Sequence, residues 1–139
     1  MANEITFTAK LKGAKNNVQV VQTATEKNQT MEAALDKFHH TVQSVGTGGS
    51  EDVSTGDVDV TKQYCLLLYN RDAAHFVTVK VRKDATPTDV DVGIMLPGEP
   101  FGPLRAPAQA GGYPKYRMQA DTAACDVEVT VTDAGDPAA

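Results

Sequence analysis

The sequence contains no tryptophan, two cysteines, three serines and three histidines among 139 residues. Each shortage removes a class of function. Without tryptophan there is no tryptophan-packed disulfide of the kind that marks immunoglobulin sandwiches. The stacking surface available to a sugar shrinks to four tyrosines and four phenylalanines, several of them placed as core residues, with Tyr113 and Tyr116 the remaining candidates. None of Ser44, Ser50 and Ser54 lies in a GxSxG elbow. His39 and His40 are adjacent and would point apart in a strand; with His75 they form no HExxH and read as surface or packed side chains rather than metal ligands. The stretch TGGS at 47–50 lacks the lysine of a phosphate cradle, and no dinucleotide fingerprint occurs. No CxxC exists; Cys65 and Cys125 sit in apolar surroundings and read as buried thiols, with a disulfide between them a matter of spatial distance. The longest apolar run, at 65–69, is far short of the roughly 18 residues of a membrane span. The first ten residues lack the basic start and apolar stretch of a secretory signal. Thirteen basic residues against 18 acidic ones leave a net charge of −5, which argues against binding nucleic acid through its phosphates.

What remains is ordinary globular composition, 41% hydrophobic and 22% charged, at a length that favours one domain. The dominant periodicity is two. Ile5, Phe7, Ala9 and Leu11 alternate with polar residues, and Val18, Val20 and Val21 begin a second strand. A third strand covers 40–45 with Val42 as its inward residue, and Val58 and Val60 mark a fourth. The run at 65–69 reads as a central strand covered on both sides. Asn70, Arg71 and Asp72 then make a polar turn, and Phe76, Val77, Val79 and Val81 form the return strand. Val90, Val92, Ile94 and Leu96 alternate with polar residues as a further strand, with Asp89 and Asp91 on its polar face. Strands at 116–120 and 125–132 complete the set.

The expected fold is therefore all-β: an antiparallel β-sandwich or barrel of about eight strands, with one short helix and a long Pro/Gly-rich loop. The helix is predicted over 30–40, where Met31, Ala34, Leu35 and Phe38 make a stripe that packs on the sandwich, with Thr30 as cap. The sandwich is expected to span 1–133, with 1–40 either inside it or forming an arm that carries the helix. A flexible tail at 134–139 follows. The acidic residues Glu51, Asp52, Asp57 and Asp59 lack the order of a calcium loop and read as a solvated segment. The loop at 96–115 holds five of the seven prolines, with a type II turn at Pro97-Gly98. Loops of that length are usually functional or disordered. Phe101, Leu104, Arg105 and Tyr113 within it are the candidate interface residues. No nucleophile, base and orienter assemble, so an enzyme is not expected, and no cofactor is implied.

Several local features recur in order: TVQSVGT at 41–47, GDVDV at 56–60, CLLLYNRDAAHFVTV at 65–79, LPGEP at 96–100 and YRMQADTAACDVEVTV at 116–131. Together they resemble small β-rich virion structural proteins of tailed bacteriophages. Arg71 and His75 depart from that pattern, which more often has leucine and asparagine there. The resemblance implies a protein made in the bacterial cytoplasm and built into the virion, foremost a capsid decoration (cement) protein on the head surface. Its implied partners are the major capsid protein and copies of itself, often as trimers, with neither nucleic acid nor membrane. A tail or neck component, or a carbohydrate-binding sandwich, is the alternative.

Overall fold

The computed structural model describes residues 4–16, 18–30, 37–82, 88–109 and 114–133. The described residues form ten strands and no helix. Among the described residues, strands β1 (Glu4–Lys15) and β2 (Val18–Thr30) pair only with each other. The other eight are β3 (Phe38–Val45), β4 (Glu51–Asp52), β5 (Tyr64–Asn70), β6 (Val77–Arg82), β7 (Asp89–Met95), β8 (Pro100–Ala106), β9 (Tyr116–Ala120) and β10 (Cys125–Asp133). They make two four-stranded antiparallel sheets, ordered β3-β10-β5-β8 and β4-β9-β6-β7. The arrangement is sandwich-like and does not close into a barrel.

One core joins the sheets. Leu66 and Leu68 of β5 and Val127, Val129 and Val131 of β10 come from the first; Val77 and Val79 of β6, Met95 of β7 and Met118 of β9 come from the second. All nine are essentially inaccessible to water. Burying each such side chain contributes about 1.5–3 kcal/mol, and β-branched residues on a pleated surface supply much of it.

Several sequence expectations need correction. The helix over 30–40 is not seen: Thr30 ends β2, Phe38 to His40 begin β3, and 31–36 lie outside the described residues. Val42 points outward. Val45 sets the parity of β3, and its inward neighbours at alternate positions, Gln43, Thr41 and His39, are half-buried and polar. Gln43 bonds Glu51, the Asp52 carbonyl and the Ser54 amide, and His39 Nε2 meets Ser54 Oγ at 2.9 Å. Val58 and Val60 are core residues, yet they lie in an irregular segment rather than a strand. Strand β5 is central in its sheet but covered on one face only, because Leu67 and Tyr69 look to solvent. β6 does not return alongside β5; the chain crosses to the other sheet.

That crossover is held by Asn70, which is fully buried. Its Nδ2 donates to the carbonyls of His75 and Met95 at 2.9 and 3.0 Å, and its Oδ1 accepts from the Asp72 amide. Asp72 in turn accepts from the amides of Ala74 and His75, and these bonds hold its carboxyl below the usual carboxylate range.

The proline-rich stretch is not one loop. The turn over 96–99 forms as expected, with Gly98 at φ +77° and the Glu99 amide bonded to the Leu96 carbonyl. Then 100–106 becomes β8, an edge strand on β5. Gly102 sits at φ +98°, where a Cβ would come within 2.7 Å of the Leu66 carbonyl, so no other residue fits. The tail at 134–139 lies outside the described residues.

Candidate interaction surfaces

The side chains with chemistry do not converge on a reactive centre among the described residues. Ser50, Asp52, Arg82, Asp89 and Arg117 do meet. Arg82 contacts Asp52 at 3.2 Å, and Arg117 contacts Asp52 and, at 3.3 Å, Asp89. Arg117 also donates to the Ser50 carbonyl at 2.7 Å, and the Ser50 hydroxyl bonds Asp89. One residue comes from each of β4, β6, β7 and β9, with Ser50 just before β4. The cluster therefore clamps one end of a sheet whose outer strand β4 is only two residues long. Sequence reasoning missed it because its members are far apart in the chain and carry no motif.

Of the acidic residues at 51–59, Glu51 turns to Gln43 and the Gly46 amide, Asp52 to the arginines and Asp59 to Thr61. No group of three or more described histidines, cysteines or acids is placed to hold a metal ion. His39 and His40 diverge, the first to Ser54 and the second to Glu128 at 2.8 Å. Cys65 and Cys125 are free and buried. Both serve the same sheet, but Cys65 pairs across from Thr132 while Cys125 lies at the opposite end of β10. Burial pushes both thiols up, away from the reactive thiolate.

The candidate interface residues separate. Phe101 packs half-buried against the core, its ring 5.9 Å from that of Tyr116, which removes Tyr116 from any exposed platform. Leu104 leans on the same core beside Leu66. Arg105 reaches the Gln63 side chain, and Tyr113 lies outside the described residues.

Among the described residues three surfaces remain bare. The first is the β1–β2 hairpin. At the ~3.4 Å rise per antiparallel residue its 12-residue strand spans about 40 Å. Its main contact with the sandwich is with β8. Leu11 is 73% and Val18 64% exposed, and Val21 is exposed too. The second is the outer side of edge strand β7. Val90, Val92, Ile94 and Leu96, the set expected to face inward, all face solvent. Met95, opposite Val77, and Gly93, opposite Val79, turn Ile94 and Val92 outward, and a register shift beyond Gly93 leaves Val90 opposite Val81; the inner space over Gly93 is filled by the Phe101 ring, 3.4 Å from where a Cβ would sit. The third is the outer face of β3-β10-β5-β8. There Phe38, Val42, Leu67 and Tyr69 are exposed around Glu128 and Asp126 of β10. A shallow depression of about 210 Å³ lies on it, lined by Leu67, Tyr69, Pro100, Glu128 and Thr130.

No protein-family model matches this chain, and no curated protein or solved structure matches it.

Proposed function

We propose that this chain is a structural protein of a tailed-phage virion, a capsid decoration protein that binds across subunit junctions of the head and contacts copies of itself. The observation that carries this reading is the β1–β2 hairpin. Two strands alone are marginal in water, because one ladder and one pair of bare faces bury too little apolar surface to offset chain ordering. A hairpin of 12 and 13 residues with leucine and valine in solvent is the form of an element completed by a neighbour. The ordered turn motifs at 41–131 support placing that neighbour in a phage particle.

The physics of cementing follows. A protein that binds the assembled shell and not its separated subunits stabilises the shell by mass action, and repetition over many sites multiplies a modest contact. Neither step requires bond making or breaking.

The test is mass spectrometry and cryo-electron microscopy of gradient-purified particles from a host carrying this coding sequence. The expected result is hundreds of copies per particle, with density on the head. Density confined to the neck or tail, at six to a few dozen copies, replaces the head assignment. Absence from particles, with saturable glycan binding by the purified chain, replaces the whole reading with a carbohydrate-binding sandwich.

A further inference from the structure

The arm and the rest of the chain carry opposite charge. Residues 4–30 hold Lys10, Lys12, Lys15 and Lys27 against Glu4 and Glu26, a sum of +4 − 2 = +2. The remaining residues hold 9 basic and 16 acidic side chains, 9 − 16 = −7, which restores the total of −5. Within the arm the basic charge gathers towards the turn. No acid lies between Glu4 and Glu26, and the register places Lys10 opposite Thr23 and Lys12 opposite Val21. Lys10, Lys12 and Val21 thus share one face and are all exposed.

The outer face of β3-β10-β5-β8 has the complementary composition. One row across it reads Val42, Glu128, Tyr69, and the next reads Ser44, Asp126, with Arg71 at the turn beyond. Pro100, opposite Tyr69, closes the row at the β8 edge. Apolar groups therefore flank a carboxylate there, as Val21 flanks Lys12 on the arm. The stripe on β7 does not fit as well. It borders Lys80, and its own acids Asp91 and Asp89 are already paired with the permanent cations Lys80 and Arg117, whereas Glu128 of the other face meets the exposed imidazole of His40 at 2.8 Å.

We infer that the β1–β2 arm of one copy docks, through its Lys10, Lys12 and Val21 face, on the outer β3-β10-β5-β8 face of a second copy. Glu128 and Asp126 receive the lysines, and Val42, Leu67 and Tyr69 receive Val21. The exchange covers the Val21 side of the arm and the outer sheet face together, while Leu11 and Val18 stay on the arm's other side. It rests on the proposed function only in treating the arm as an intermolecular element.

Two experiments on the purified full-length chain decide it. In the first, equal amounts of protein with natural nitrogen and with nitrogen-15 are mixed and joined by a zero-length amine–carboxyl cross-linker. The expected products join Lys10 or Lys12 to Asp126 or Glu128 and contain mixed-isotope pairs. Absence of these links, or links within single-isotope chains only, overturns the inference. In the second, sedimentation velocity measures self-association of the wild type, of Lys10→Glu with Lys12→Glu, of Asp126→Lys with Glu128→Lys, and of all four changes combined. Each charge reversal is expected to weaken association about tenfold or more, because attraction becomes repulsion, and the fourfold variant to recover most of it. Monomeric wild type up to about 100 μM, indifference to either reversal, or no recovery overturns it. Finding the chain on phage heads without these links rejects this surface and keeps the proposed function. Links without any presence in particles do the reverse.

Discussion

Asn70 shows how one side chain can fix a path. Its amide satisfies two carbonyls from different parts of the chain, so a substitution must leave buried acceptors bare. Asn70→Ala is expected to cost about 2–3 kcal/mol in urea unfolding, and Asn70→Asp, which keeps the size but loses the donors, to do no better. Tyr64 offers a test by pH. It is buried, accepts from the Lys115 amide at 3.4 Å, and burial pushes its phenol up from 10 to about 12. The folded state thus holds the proton more tightly than the unfolded chain. The associated stability is fully present below pH 10 and is lost as pH rises towards 12, a drop of roughly 3 kcal/mol at most. Thermal melts between pH 9 and 12 should show a steeper alkaline decline for the wild type than for Tyr64→Phe. At this scale the sequence was partly legible. Asn-Arg-Asp at 70–72 announces a polar turn, but that Asn70 bonds Met95, 25 residues on, depends on a crossover that no local pattern encodes.

At the scale of elements, alternation was readable and its direction was not. β6 and β10 bury Val77 and Val79, and Val127, Val129 and Val131, as period two implies. In β3 and β7 the same rule points the wrong way. There the inward side is occupied by residues whose partners come from elsewhere: His39 and Gln43 bond across to Ser54, and Gly93 makes room for Phe101; a register shift after Gly93 then turns Asp89 to the face of Arg82 and Arg117. The apolar side is then left for solvent or for a neighbour. Phe101 is the joint in this arrangement, because it sits on β8 of one sheet, against Gly93 of the other and against Tyr116. Phe101→Ala should lower stability by about 2 kcal/mol, less than a fully buried phenylalanine would cost. Denaturant titration reads this directly, and an unchanged midpoint would remove Phe101 from the packing between the sheets. The proline-rich stretch reads in the sequence as one long loop, whereas the prolines at 100 and 103 lie in an edge strand, which tolerates them.

For the whole molecule, the sandwich and the hairpin are different kinds of object. The sandwich has a shared apolar core and an ionic clamp across β4, β6, β7 and β9. The hairpin has one ladder and exposed apolar groups on either side. Its two strands were visible in the sequence as alternating runs near 5–11 and 18–21, but nothing local says that, among the described residues, no third strand joins them. The most direct measurement is amide hydrogen exchange, followed peptide by peptide in dilute and in concentrated or assembled protein. Amides at 64–70 and 125–133 should be protected under both conditions, whereas those at 5–13 and 18–28 should exchange quickly when dilute and slowly when assembled. Equal protection of both hairpin strands at every concentration would mean that the arm is held by its own chain, and would contradict the account.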